Sequence, residues 1–183
     1  MSRCTAALLM SLAGIGAWAA PARAFDFNGE KAIVAVTKDG TRTRIGSVRF
    51  SPAAGGASAF AVRMDHAVLQ DHFLSMREFK CLGAAQEVTC FVAYPYPGPA
   101  VVRPDDLAWL EHHLLFFYKL PRDHGAKLWN GIAFRFTATP TALVGKPQAV
   151  DLNRIGVPPD DPGVPPYGPF DRDDFSPGAR WVQ

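Results

Sequence analysis

The sequence predicts an α+β fold that is mostly β: an antiparallel curved sheet or a small, partly open barrel, crossed by one main helix, with a proline-rich C-terminal tail. Three observations lead to this fold class. Short segments alternate apolar and polar residues and are separated by turn signals, two cysteines are placed to cross a hairpin, and one long apolar run has the character of a helix. Hairpin connections dominate, which favours antiparallel pairing.

The strands are predicted from period-two alternation and from β-branched and aromatic residues. Asp39-Gly40 is a strong signal for a hairpin turn between the first two of them. The segment His66–His72 is predicted as a loop or a single helical turn. The predicted strands are Lys31–Thr37, Thr41–Phe50, Ser58–Met64, Phe73–Leu82, Val88–Tyr94, Trp129–Thr137, Ala142–Val144 and Gln148–Leu152.

Both ends of the chain differ from its middle. Met1–Ala24 has one early positive charge, an apolar run and small residues before Ala24, a pattern typical of a cleaved signal peptide. From Val157 onwards proline is dense, which excludes a helix or a central strand. We therefore predict a signal peptide over 1–24, one β-rich domain over 25–156 and a Pro/aromatic tail over 157–183. No later segment has 18 consecutive apolar residues, so no membrane span is expected.

Charge excludes some classes of partner. The whole chain has 19 Lys and Arg against 17 Asp and Glu, a net charge of +2. The leader removes Arg3 and Arg23 and no acidic residue, which leaves 17 against 17 in the mature chain. A neutral chain without a basic run argues against nucleic-acid binding and against a polybasic membrane surface. The predicted location is the periplasm or the exterior of the cell.

Two cysteines remain after the leader is removed, and they flank a predicted turn. Cys81 and Cys90 lie on either side of Gly83–Gln86, so a bridge between them would join the two arms of a hairpin. An oxidising compartment favours a disulfide. The spacing is not that of a CxxC redox motif, and no further cysteine completes a zinc site. We predict a structural disulfide.

The run Asp105–Lys119 is predicted as the main helix, with Asp105 as its N-cap. On a helical wheel its apolar residues surround almost the whole helix, so a second face must be covered or must meet a partner. The aromatic tail, with Tyr167, Phe170, Phe175 and Trp181, is one candidate to cover it. The other candidate is a ligand or protein-partner surface, formed by Trp109, His112, Phe116, Tyr118, Trp129 and Phe134.

Histidines suggest an alternative chemistry. His112 and His113 are adjacent, so on a helix they do not share a face and do not make a two-ligand clamp. Three others follow an aspartate, and a carboxylate often supports a histidine ligand. The alternative hypothesis is therefore a metal-binding protein or a metal-dependent hydrolase that uses some of His66, His72, His112, His113 and His124. Otherwise no cofactor is predicted.

Common catalytic motifs are absent from the sequence. It contains no GxSxG elbow, no SxxK, no P-loop, no dinucleotide-binding glycine pattern and no EF-hand loop. The acidic residues Asp171, Asp173 and Asp174 lack EF-hand spacing and are predicted to be a solvated part of the tail. The predicted function is a non-catalytic binding or accessory domain for a small apolar ligand or a protein partner. A third hypothesis is an inhibitor or assembly factor whose tail docks on an enzyme.

Several segments resemble those of a family of small exported proteobacterial proteins. They are FLSMREFKC, YPYP, DLAWLEHHLLFF, LWNGIAFRF and VDLN, and they extend over roughly residues 73–153. The family has no established activity, so the resemblance implies a bacterial periplasmic setting and assigns no catalytic residue.

Overall fold

A computed structural model describes residues 24–37, 39–84 and 86–174. The predicted signal peptide, apart from Ala24, and the aromatic residues Phe175 and Trp181 lie outside the described residues. The strands are β1 (Gly29–Val36), β2 (Arg42–Pro52), β3 (Ser58–Met64), β4 (Gln70–Leu74), β5 (Arg77–Ala84), β6 (Glu87–Val92), β7 (Val101–Val102), β8 (Leu115–Lys119), β9 (Gly131–Ala138), β10 (Leu143–Val150) and β11 (Asp173–Asp174). A short helix, α1, spans Ala108–His112, and 3-10 turns span Ala54–Gly56, Leu128–Asn130, Leu152–Gly156 and Pro169–Asp171.

The strands form two antiparallel sheets. The four-stranded sheet has the order β1-β2-β3-β7, and the seven-stranded sheet has the order β11-β10-β9-β8-β6-β5-β4. The prediction of a mostly β, antiparallel fold with one helix is therefore confirmed, and within the described ranges neither sheet closes into a barrel. None of the helices formed by these ranges is long and apolar enough to cross a membrane.

The seven-stranded sheet is covered on both faces. One face packs on the four-stranded sheet, where Phe116 and Phe134 join a buried cluster with Ile45 and Phe50. On the other face, Leu115 and Phe117 belong to a second cluster that is completed by other parts of the chain, namely Leu152, Ile155 and Tyr167. Since adjacent residues of a strand point to opposite faces, a central strand between two such layers must be apolar at nearly every position.

The burial of both sheet faces explains why the prediction of a helix over Asp105–Lys119 is wrong in its second half. The helix ends at His112, and the residues from Leu115 to Lys119 form β8 instead, between β6 and β9. The side chain at the start of the helix also differs from the predicted N-cap. The carboxylate of Asp106, not that of Asp105, accepts the backbone N–H of Ala108 at 3.1 Å. An apolar run without clear periodicity fits a buried helix and a doubly buried strand equally well, and length alone favoured the helix.

Two other strand predictions need correction. The predicted strand Phe73–Leu82 is interrupted by a tight turn, because Ser75 and Met76 have φ values of +49° and +63°. Its first arm, β4, starts at Gln70, inside the segment predicted as a loop. Conversely, the two short strands predicted over residues 142–152 are one strand, β10. Pro147 is accommodated there because, within the described residues, β10 pairs with β11 only at Gln148 and Ala149, so no described strand pairs with Pro147 on the outer edge of β10.

The predicted disulfide is present and buried. Cys81 and Cys90 face each other across β5 and β6, their sulfur atoms are 2.07 Å apart, and both residues are completely buried. The bridge therefore joins neighbouring strands of the seven-stranded sheet at its second buried face.

Removal of this bridge should destabilise the protein without altering the fold. We expect the double variant Cys81→Ala, Cys90→Ala to lose roughly 2.5–3 kcal/mol of unfolding free energy, because the open chain gains conformational entropy when unfolded. Urea denaturation followed by tryptophan fluorescence would measure the loss. A change below about 0.5 kcal/mol, the range of neutral surface substitutions, would contradict a stabilising role.

Candidate functional site

The six residues predicted as a ligand or partner surface do not share an exposed face. Trp109, His112, Phe116 and Phe134 are buried in the protein. Tyr118 is half-buried. Trp129 is 59% exposed, with the Lys127 ammonium 5.2 Å from the centre of its ring. Phe116 and Tyr118, which were predicted to lie on the main helix, lie on β8 instead, where Phe116 faces the four-stranded sheet.

The five histidines also occupy different environments. His66 and His113 line a common cleft, whereas His72 lies on the edge strand β4, and His124 is exposed in the loop after β8. In the part of the chain that the structure describes, no group of three or more His, Cys, Asp or Glu side chains has an arrangement that could hold a metal ion.

His112 is a structural residue in a closed environment. Its Nδ1 atom lies 2.6 Å from the Ala108 carbonyl oxygen, so Nδ1 carries the proton and donates it. Its Nε2 atom accepts the backbone N–H of Tyr167 at 3.0 Å, and the Tyr167 ring stacks on the imidazole at 5.5 Å. Both ring nitrogens are therefore occupied, and no lone pair remains for a metal or a substrate.

A buried ion pair lies beside this histidine. Glu111 Oε2 accepts Arg172 Nη1 at 2.6 Å, and both side chains are less than a tenth exposed. The other carboxylate oxygen accepts the backbone N–H of Phe136 at 2.9 Å. Arg172 also donates to the Tyr167 carbonyl oxygen and to Gln148. These contacts fix Val157–Asp174, which we term the C-terminal strap, against the seven-stranded sheet.

The strap confirms part of the expectation for the tail. Tyr167 is buried and its hydroxyl donates to the Asp151 carbonyl oxygen at 2.9 Å, but Phe170 is fully exposed. Burial raises the pKa of the Tyr167 hydroxyl, which keeps it a donor. Asp173 and Asp174 are exposed, as predicted, whereas Asp171 accepts the Gly168 N–H and pairs with Arg154.

An opening lies between the two sheets, on the β1 side, and we term it the inter-sheet cleft. It has a volume of about 570 Å³. Ile33 and Phe50 of the four-stranded sheet form one wall, and Phe136 and Leu143 of the β9–β10 hairpin form the other. Leu110 and Leu114 close its inner end, while Glu30, Lys31, Arg42, Thr139 and Thr141 supply polar groups.

A second opening lies next to β3, toward the edge of the four-stranded sheet that is away from β1, and we term it the β3 cleft. It has a volume of about 420 Å³ and is lined by Val62, Arg63, Met64, His66, Phe91, Ala93, Tyr94 and His113. A polar groove of about 450 Å³ adjoins it and shares Arg63, Met64 and His66 with it.

Comparisons of the chain with protein-family models, with curated proteins and with solved structures found no match. The function must therefore be inferred from the geometry of these clefts and from the buried network.

Sequence reasoning missed Glu111, Arg172, the residues of the inter-sheet cleft and, apart from the metal candidates His66 and His113, those of the β3 cleft. Glu111 offered a signal, since an acidic residue inside an otherwise apolar run requires a buried partner. Its partner is 61 residues away, in the strap, whose other charged residues are acidic, and local patterns do not identify such a pair.

Loss of one member of the ion pair should be severe. We expect Arg172→Met to lower the unfolding free energy by about 3–5 kcal/mol, because the Glu111 carboxylate is left buried and unpaired. The double variant Glu111→Gln, Arg172→Met should be more stable than Arg172→Met, since the amide oxygen still accepts the Phe136 N–H. Urea denaturation at pH 7 measures both.

The exposed Arg154–Asp171 pair supplies a matched control for this experiment. Arg154→Met should cost at most about 1 kcal/mol, because exposed ion pairs contribute little. Equal losses in Arg154→Met and Arg172→Met would show that the buried pair has no special role.

The buried His112 should make stability depend on pH. Burial lowers its pKa from 6.5 to about 4, and the charges of Arg172 and His113 act in the same direction. The unfolded chain therefore binds the proton first as the pH falls. We therefore expect the contribution of His112 to the unfolding free energy to be constant above about pH 6.5 and to decrease by roughly 3 kcal/mol between pH 6.5 and pH 4.

Urea denaturation across this pH range would measure the decrease, and His112→Gln should show a smaller one because glutamine does not titrate. A proton NMR titration of the His112 ring gives a direct check. A ring resonance that titrates near pH 6.5 in the folded protein would contradict the assignment.

Proposed function

We propose that the protein is a non-catalytic, exported binding domain that takes up a small apolar molecule in the inter-sheet cleft. The observation that carries this proposal is the cleft itself: a volume of about 570 Å³ with an apolar interior and a small number of polar groups. Clefts of roughly 300–1,000 Å³ with this composition are the usual sites for small ligands in proteins.

The walls of the cleft favour a ligand that is mainly apolar. Ile33, Phe50, Leu110 and Leu114 are buried members of the core cluster, so their positions are fixed by packing on both sheets. Leu143, by contrast, is only partly buried and lies on the hairpin side. A ligand between them would remove further apolar surface from water, at roughly 25 cal/mol per Å².

The buried titratable groups of α1 support a binding role over catalysis. A general acid or base must be within reach of a substrate proton. Glu111 and His112 have the burial that often accompanies catalysis, but their polar atoms are engaged by Arg172, Phe136, Ala108 and Tyr167. The strap covers them, so they stabilise the fold.

Export to the periplasm is part of the proposal. It is supported by the signal-peptide pattern of residues 1–24 and by the buried disulfide between Cys81 and Cys90. A disulfide persists in an oxidising compartment and is rare in a reducing one.

A neutral fluorescent probe, N-phenyl-1-naphthylamine, tests the proposal. We expect its emission to rise when it enters the inter-sheet cleft of the mature protein. Leu143→Arg should reduce its affinity at least about tenfold, because a charge in an apolar cleft must be desolvated. Leu143 is partly exposed, so the variant is expected to fold.

Val157→Arg is the matched control, because Val157 is an exposed valine of the strap and does not line the cleft. Its affinity for the probe should equal that of the parent. The proposal is wrong if the unmodified protein does not bind the probe at about 1 mM, a concentration that corresponds to a binding free energy of about 4 kcal/mol. It is also wrong if both variants bind the probe as the unmodified protein does.

A further inference from the structure

The inter-sheet cleft carries a cation on its β1 wall. Lys31 lies directly opposite Val48 in the register of β1 and β2, and it is two residues from Ile33; both neighbours are buried members of the core cluster. Directly opposed residues of paired strands, and alternate residues of one strand, project from the same face of a sheet. The Lys31 side chain therefore projects from the face that meets the seven-stranded sheet, and it lines the cleft together with Ile33 and Val48.

Two measured contacts place the Lys31 ammonium beside the aromatic part of this wall. Its Nζ atom lies 5.8 Å from the centre of the Phe25 ring, and the Phe25 ring lies 6.3 Å from the Phe50 ring. Both rings line the cleft. An ammonium is attracted to the face of an aromatic ring, while the methylene stem of a lysine covers apolar surface. The charge of Lys31 is thereby held next to the apolar interior of the cleft.

The existing partner of Lys31 is weakly held. The Asp26 carboxylate lies 3.7 Å from Nζ, beyond the usual distance of a hydrogen bond, and the Asp26 side chain is 73% exposed. Exposed ion pairs of this kind contribute little free energy, because water screens the two charges. The carboxylate of a ligand can therefore take the place of Asp26.

Two further charged residues line the cleft, and both lie away from this point. Glu30 is opposite Arg49 in the register and pairs with it at 3.2 Å, so its carboxylate is already balanced by a cation. Arg42 is opposite Val36, at the other end of β1. Lys31 is therefore the cation that accompanies the Phe25 ring.

We propose that the ligand of the inter-sheet cleft is an apolar carboxylate, whose hydrocarbon part lies between the sheets and whose carboxylate pairs with Lys31. This inference rests on the proposed function, since it assigns a chemical class to the ligand of the same cleft. The apolar walls take up the hydrocarbon, whereas a carboxylate buried there without a partner would be strongly disfavoured. The Lys31 ammonium supplies that partner at the edge of the cleft, where its flexible stem lets it follow the head group.

Competition with bound N-phenyl-1-naphthylamine tests the inference on the mature protein. Octanoate and 1-octanol share one hydrocarbon chain and differ in charge, so the ratio of their affinities reports the contribution of the carboxylate. We expect both to displace the probe. The ratio should shift against octanoate as salt is added, because the ammonium is partly exposed and its charge is screened.

The variant Lys31→Gln removes the charge and keeps most of the stem. Its affinity for octanoate should fall about fivefold, the loss expected for one contact between charged groups, while its affinity for 1-octanol stays unchanged. Asp26→Asn should instead raise the affinity for octanoate about twofold, because it removes the competing carboxylate. A variant that merely damaged the cleft would not strengthen binding.

Lys146→Gln is the matched control. Lys146 also pairs with an exposed aspartate, Asp174, at 3.1 Å, but it does not line the cleft. This variant should bind octanoate and 1-octanol as the unmodified protein does.

The inference is overturned if Lys31→Gln leaves the ratio of octanoate to 1-octanol affinity unchanged, if Lys146→Gln lowers it equally, or if Asp26→Asn weakens octanoate. In each of these cases, binding of the neutral probe and its loss in Leu143→Arg would still support the proposed function. If the probe does not bind at all, the proposed function and this inference fail together.

Discussion

The buried pair of Glu111 and Arg172 is the interaction on which the arrangement of the seven-stranded sheet depends. Two charges that are withdrawn from water must satisfy each other and their remaining polar atoms, because a buried charge that has lost its partner costs about 3–5 kcal/mol of stability. Here one carboxylate oxygen takes the guanidinium and the other takes the Phe136 N–H of β9, while Arg172 also donates to Tyr167 and Gln148. The pair thereby fixes α1, β9, β10 and the strap relative to one another.

The same network explains why a sheet with two apolar faces remains shielded from water. The four-stranded sheet covers one face, and among the described residues short 3-10 turns and the strap cover the other. Such irregular segments bury little apolar area by themselves, so polar contacts must hold them in place. Arg172 and the stacked pair of His112 and Tyr167 provide these contacts. The buried charged pair of Glu111 and Arg172 and the buried imidazole of His112 therefore maintain the fold.

The sequence allows prediction of features that depend on nearby residues. The strand β3 and the hairpin with its disulfide follow from alternation, turn residues and cysteine spacing, and all are observed. Leu115 to Lys119 could not be assigned in this way, because the apolar character of β8 comes from two layers that lie elsewhere in the chain. The Glu111–Arg172 pair and both clefts are likewise formed by distant segments, so no local pattern encodes them.

The unequal width of the sheets accounts for the position of both clefts. Four strands cannot cover one whole face of seven, so that face of the larger sheet is left open at both edges of the smaller one. At the β1 edge the exposed wall comes from the β9–β10 hairpin and is mainly apolar; at the β3 edge it comes from β6 and Tyr94 and is aromatic. Between the two clefts lie Phe50, Phe60 and Leu110, members of the close-packed core that resist deformation. Phe50 and Leu110 also line the inter-sheet cleft, so a ligand there would contact the part of the protein that deforms least.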